Sequence, residues 1–283
     1  MHRPNICATL AGLTIFGAVL GSNNGTLAVA PSCPKYEAIA GTRPLSTDTL
    51  RKRVVGRFLI IAHRGYSSEY LENSIDAFKE AISAGADMIE TDVRESADGH
   101  VVLAHDYAGG DTLAELAEKD IIPIEPLLKL AKNRILLLLD MKEGSPAFLK
   151  KTLDAVRRHG MVGQVVFGLR SVPQTRDLRA LDKSVAILGF LSPSRYDISG
   201  FYRAGGNIAR IWEADLDATT VRRARGPGSR PIWITPRVKP EPTGDIDEER
   251  QIDLMKAGLD GVLVNDPVTA IATRCAYFGS KAR

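Results

Sequence analysis

Five consecutive apolar residues, Ile135-Leu136-Leu137-Leu138-Leu139, run straight into Asp140-Met141-Lys142. A strand shows alternate residues to opposite faces, so this run offers water no polar face. It suits a parallel strand covered on both sides by other elements. A carboxylate at its end must then be met by positive charge, because burying an unpaired charge is costly. Comparable runs recur, and strand candidates fall at 58–63, 87–93, 101–105, 135–141, 164–168, 185–191, 207–212, 231–235 and 261–264. Helical patterns lie between them. Asn73 or Ser74 caps a helix carrying Ile75, Phe78, Ala81 and Ile82 on one face, Ser145-Pro146 opens a second that stops at Gly160, and 173–181 forms a third.

Alternating β and α units predict an α/β fold with a parallel sheet, and their number and length fit a single (β/α)8 TIM barrel. Nine strand candidates compete for eight places, so one is no strand or lies outside the barrel. An open, doubly wound sheet is the alternative architecture. It usually carries a Gly-rich phosphate turn after its first strand, which is missing here. Pro- and Gly-rich pieces at 226–231 and 240–244 read as loops. The second follows a strand, where the functional loops of a barrel lie.

The 283 residues are 44% apolar and 25% charged, enough for an ordinary core. A formal net charge of +3 with both signs interspersed argues against a nucleic-acid partner. Residues 1–30 differ from the rest. His2 and Arg3 precede an uncharged stretch from Ile6 to Leu20, then a small-polar stretch and Ala28-Val29-Ala30. This predicts a secretory signal peptide, cut after Ala28 or Ala30, and hence a secreted or periplasmic protein. An uncleaved anchor is the alternative, but the apolar run is shorter than the roughly 20 residues a spanning helix needs. The expected organisation is a signal peptide over 1–30, a lead-in over 31–57 and a barrel domain over 58–283. Cys7 leaves with the signal, and a Cys33–Cys275 disulfide is a candidate in an oxidising compartment.

Chemistry gathers at strand ends. Met88, Glu90 and Asp92 share one strand face. Two adjacent carboxylates repel, and a bound cation relieves them; a solvated pair on an edge strand is the alternative. Asp140 adds a third carboxylate and shares its face with Lys142, either as a ligand or as half of a structural ion pair. An all-oxygen set favours Mg²⁺ or Ca²⁺, with Mn²⁺ also fitting. His63 and His105 each end a strand-like run, and two imidazoles can divide acid and base work. Arg64 offers a planar fork suited to phosphate, or a salt bridge to Glu72. Glu72-Asn73 opens a helix, with capping as its minimal role and orientation of the site as a further one.

His63-Arg64-Gly65, Glu72-Asn73, Glu90-Thr91-Asp92-Val93, Asp98-Gly99 and His105-Asp106, in this order, resemble the motifs of the glycerophosphodiester phosphodiesterase family. The dense match runs from about Ile60 to Lys142, and a weaker one from Ala257-Gly258-Leu259-Asp260-Gly261 through Asn265-Asp266-Pro267 resembles the family's last strand and turn. The resemblance implies a TIM barrel and a metal-dependent hydrolysis of a glycerophosphodiester to glycerol phosphate and an alcohol. It implies that Glu90, Asp92 and Asp140 hold one divalent cation, that His63 and His105 are the acid–base pair, and that Arg64 and Lys142 bind phosphate. Acid and base stay unassigned between the two histidines.

Three departures matter. Asp140 stands where the family usually has Glu. The stretch after Asp106 is short, with no room for a glycerol-covering insert. Trp233 falls one place early relative to Thr235, which directs it toward the core and away from the substrate. Asp140 to Ser145 also resembles the matching segment of sphingomyelinase D enzymes. A phospholipase D-like action on lysophospholipid or sphingomyelin headgroups, with transient membrane-surface contact, is therefore the alternative. A non-catalytic barrel that binds phosphate or lipid is the third reading. The expected partner is a small phosphodiester or a phospholipid; oligomeric state is not readable.

Overall fold

The computed structural model describes residues 58–106, 110–190 and 197–280. Eight parallel strands close a barrel: β1 (Leu59–His63), β2 (Met88–Glu95), β4 (Leu136–Met141), β5 (Val165–Leu169), β6 (Ala186–Phe190), β7 (Ile208–Trp212), β8 (Ile232–Thr235) and β9 (Gly261–Val264). β1 closes it by pairing with β2 on one side and β9 on the other. Outside the strands pack α1 (Ile75–Ala84), α2 (Leu113–Ala117), α3 (Ile124–Ala131), α4 (Pro146–Arg158), α5 (Val172–Leu181), α6 (Ile198–Arg203), α7 (Ala218–Arg225), α8 (Glu248–Lys256) and α9 (Pro267–Ser280). This is the single (β/α)8 barrel that the strand runs predict.

The ninth strand, β3 (Val101–Leu103), lies outside the ring and pairs antiparallel with Val93–Glu95 of β2. The Asp98-Gly99 turn, with Gly99 at φ +85°, folds the chain back along β2. β3 is the one candidate of nine that lies outside the barrel, and the expectation that its strand runs to His105 is corrected. β3 stops at Leu103, and His105 sits in the bend that follows.

Alternation along each strand splits the core in two. Leu136 and Leu138 fill the barrel interior with Ile61, Met88, Leu188 and Trp233. Leu137 and Leu139 face the helices, in a second cluster that includes Phe78, Phe148 and Val156. Each fully buried leucine contributes about 1.5–3 kcal/mol, so the 135–139 run has no favourable place except a strand covered on both faces. Trp233 is wholly buried in the interior, one layer below Thr235 on the same strand face. Ser74 caps α1 by accepting from the Ala77 amide, which leaves the Asn73 side chain for another task.

At the N-terminal end of the barrel, buried Asp87 accepts from the Ile60 amide and pairs with Arg274 of α9. Asp260 plays the same part before β9, accepting from the Ile232 amide at 2.8 Å and from Arg225 at 2.6 Å. Among the described residues no helix is long and apolar enough to cross a membrane. Cys275, on α9, is disulfide-bonded. Its proposed partner Cys33, the signal peptide and the lead-in lie outside the described residues.

Candidate active site

The C-terminal ends of the strands open into a cavity of about 630 Å³. His63, Arg64, Glu90, Asp92, His105, Asp140 and Lys142 all line it. Trp233 does not, because it lies beneath the floor.

Register explains the carboxylate cluster. Asp92 and Asp140 are direct neighbours across β2 and β4, while Glu90 sits one inward position lower, opposite Leu138. The longer glutamate reaches up from the lower layer, so a short side chain suffices at 140. One oxygen from each of the three comes within 4.8 Å of the others, and all three residues are buried. Lys142 bridges Asp92 at 2.8 Å and Asp140 at 2.7 Å. Arg64 pairs with Asp92 at 3.0 Å and Glu72 at 2.6 Å. Both structural alternatives raised by the sequence, an Asp140–Lys142 pair and an Arg64–Glu72 bridge, are thus present inside the same cluster. Asn73 takes an amide contact to Asp92 at 3.3 Å and accepts from the Thr91 hydroxyl at 2.7 Å.

The charges are unevenly compensated. Burial alone would push the Asp92 carboxyl up, but Lys142 and Arg64 hold it below the usual range. Burial raises Glu90 well above the usual range, and Asp92 and Asp140 raise it further. The Oε2 atom of Glu90 is buried without a hydrogen-bond partner. An oxygen-only trio containing one unsatisfied, desolvated carboxylate oxygen fits a hard divalent cation.

The two histidines are held differently. His63 is buried and shares a 2.8 Å hydrogen bond with Asn265 through Nδ1. Asn265 uses its Nδ2 to donate to the Thr243 carbonyl at 2.9 Å and to Asp245 at 2.7 Å. Its Oδ1 is therefore the end facing His63, which fixes the Nδ1–H tautomer and leaves Nε2 as an acceptor. Burial, reinforced by Arg64, lowers the His63 pKa to about 4, so the ring is neutral at pH 7. His105 is partly exposed, and its Nδ1 meets the carboxylate of Asp106. Arg94 clamps the His105 carbonyl at 2.7 and 2.9 Å and ties it to Glu143 at 3.0 Å.

Several lining residues escaped sequence reasoning. Arg170 grips Asp140 through both guanidinium nitrogens, with Nη2 at 2.6 Å. Arg210 lies buried on β7, where burial lowers its pKa to about 9. Its signal was a lone charge within the apolar run Ile208-Ala209-Arg210-Ile211-Trp212. Asn265 falls in the closing turn that the sequence picks out, but nothing local points to its partner 202 positions away.

A family model described as the glycerophosphoryl diester phosphodiesterase family matches residues 63–161. A glycerophosphodiester phosphodiesterase of Caldanaerobacter subterraneus subsp. tengcongensis is 26% identical over 254 residues, covering 75% of this chain and 96% of that protein. An Oleispira antarctica phosphodiesterase, solved in complex with the product sn-glycerol-3-phosphate, superimposes with a TM-score of 0.65 at 18% identity, over 77% of this chain and 96% of the other. A glycerophosphodiester phosphodiesterase from Thermotoga maritima gives 0.60 at 22% identity, over 80% and 99%. At these identities the solved structures show a shared fold.

Proposed function

Since a model of the glycerophosphoryl diester phosphodiesterase family matches residues 63–161 and a full-length relative is similar, we propose that the chain is an exported, divalent-metal-dependent hydrolase of that family that splits glycerophosphodiesters into glycerol phosphate and an alcohol. The observation that carries this is the convergence of three buried carboxylates and two histidines on one cavity at the C-terminal end of the barrel. Export is supported by the uncharged N-terminal stretch and its Ala28-Val29-Ala30 tripeptide.

Glu90, Asp92 and Asp140 would hold the cation, which supplies polarisation of the phosphoryl oxygens when bound. Lys142 spends two of its three donors on Asp92 and Asp140, so one remains for a phosphate oxygen. Arg64 keeps Nη2 for the same purpose, with Nε and Nη1 turned to Asp92 and Glu72. Neutral His63 takes the proton of the attacking hydroxyl at Nε2, and Asn265 steadies the charge that forms at Nδ1–H. His105, supported by Asp106, gives its proton to the leaving oxygen. The attacking hydroxyl belongs to water or to the substrate.

The described residues carry only three large exposed apolar side chains, Tyr70, Leu71 and Val238, all in loops at the active-site end. They favour, as a second reading, encounter with lysolipid at a membrane surface. With added Mg²⁺ or Ca²⁺, glycerophosphocholine should yield glycerol phosphate and choline. His63→Ala and His105→Ala should each lower turnover by about 10²–10⁴-fold, while calorimetry shows cation affinity retained. Near-normal turnover by His105→Ala would overturn the two-histidine scheme. Turnover confined to lysophosphatidylcholine or sphingomyelin would replace the soluble diester with the lipid substrate.

A further inference from the structure

The side of the cavity over β7 and β8 carries charge that the hydrolytic chemistry does not use. Arg210 donates Nε–H to the Thr235 hydroxyl at 2.7 Å. Its Cζ lies 3.4 Å from the Trp212 ring centroid and 5.0 Å from that of Phe190. Phe190 can lie there because residue 168 is glycine: a Cβ at Gly168 would come within 2.3 Å of its ring. Arg237, exposed and two residues beyond β8, sets its Cζ 4.8 Å from the other partner of Arg210, the Trp212 ring. Neither arginine forms an ion pair with a described residue.

Three physical points converge. The cavity is lined by five cationic side chains, Arg64, Lys142, Arg170, Arg210 and Arg237, against three carboxylates and the Glu72 that pairs with Arg64, so one positive charge is in excess and a divalent cation on the carboxylates would make it three. A monoanionic diester does not balance that excess. A buried guanidinium with one of its five donors committed to protein is also costly unless an acceptor meets the rest. Finally, the aromatic faces that could hold a quaternary ammonium already carry guanidinium groups, which repel a second cation.

We infer that Arg210 and Arg237 form a second anion subsite, so that the preferred diester bears a further negative group, phosphate or carboxylate, on its non-glycerol alcohol. This step rests on the hydrolase reading above for the position of the first phosphate. Glycerol itself is neutral, so the second charge must come from the other alcohol.

Two measurements test it. In the first, the cation-free full chain is titrated by calorimetry with glycerol 3-phosphate and with glycerol 1,3-bisphosphate. The bisphosphate should bind about tenfold tighter, the worth of one charge-assisted contact. Arg237→Gln and Arg210→Gln should each shrink that ratio to about two or less. Arg237 is exposed, so its variant keeps the test alive should the Arg210 variant fail to fold. In the second, kcat/KM with added cation should rank glycerophosphoglycerol carrying a terminal phosphate above glycerophosphoglycerol, and that above glycerophosphocholine. Equal binding of the two phosphates, or a bisphosphate preference kept by Arg237→Gln, would overturn the subsite while leaving hydrolysis intact. A bisphosphate preference lost in Arg237→Gln, in a protein that splits none of the three diesters, would support the subsite and contradict the hydrolase.

Discussion

Glu90 is the residue on which the site's electrostatics turn. It is buried, one of its oxygens has no partner, and burial first and then Asp92 and Asp140 drive its pKa upward. A carboxyl whose pKa is raised in the folded state contributes stability below its unfolded value. That contribution is lost as pH rises through the folded value. Above its unfolded value Glu90 therefore costs the cation-free protein stability, and a divalent cation held by the three carboxylates would relieve that cost. Glu90→Gln should raise the melting temperature of the cation-free protein at pH 7–8 and remove the increase that Mg²⁺ or Ca²⁺ gives the wild type. Thermal unfolding with and without cation checks this. A variant that melts lower without cation yet still gains from it would place the cation elsewhere. Glu90 and Asp92 were legible because strand alternation alone puts them on one face, and Asp140 because it ends a strand with no polar face. Arg210 left only the trace of a lone charge in an apolar run, and Arg170 left none, since an arginine after a strand is ordinarily solvated and tertiary packing turns this one inward.

At the scale of elements, strands place the carboxylates and His63, while loops place His105 and orient the His63 ring. After β1, Arg64 at φ +58° and Gly65 at φ +87° turn the chain sharply over α1, where a Cβ on Gly65 would sit 2.7 Å from the Ala77 backbone. The loop after β8 does the equivalent work for His63. Gly244, at φ +94°, accepts from the Asn265 amide at 3.0 Å. A Cβ there would come within 2.3 Å of Asn265 Oδ1 and 2.9 Å of His63 Nδ1. Gly244→Ala should displace the Asn265 amide and lower kcat by about 10²-fold, with a much smaller change in KM. Steady-state kinetics separates the two, and an unchanged kcat would show that Asn265 does not orient the imidazole. The 240–244 stretch was legible as a loop at the functional end of a barrel, but its contact with β1 was not. That contact joins segments far apart in sequence, and no local pattern encodes it. That one of nine strand candidates would fall outside the ring was legible by count, but which one was not, because apolar alternation does not reveal the pairing direction of the run to His105. The Asp98-Gly99 turn reverses it.

Across the whole molecule, the two ends of the barrel do different work. The Asp87–Arg274 and Asp260–Arg225 pairs knit helices to the N-terminal ends of the strands. Glu90, Asp92, Asp140, His63 and His105 collect with five cationic side chains at the C-terminal ends, where side chains from β1, β2, β4, β6, β7, β8 and β9 converge on one cavity. That division lets residues around the cavity vary without disturbing the pairs that hold the other end together. The most direct measurement is the initial rate of glycerol phosphate release from a glycerophosphodiester by the purified chain, before chelation of divalent cations and after their return. Release that stops with the chelator, returns with Mg²⁺, Ca²⁺ or Mn²⁺, and fails to return in Asp92→Asn is expected. Release that continues undiminished in the chelator, or no release with any of the three cations, would contradict a metal-dependent phosphodiesterase built on Glu90, Asp92 and Asp140.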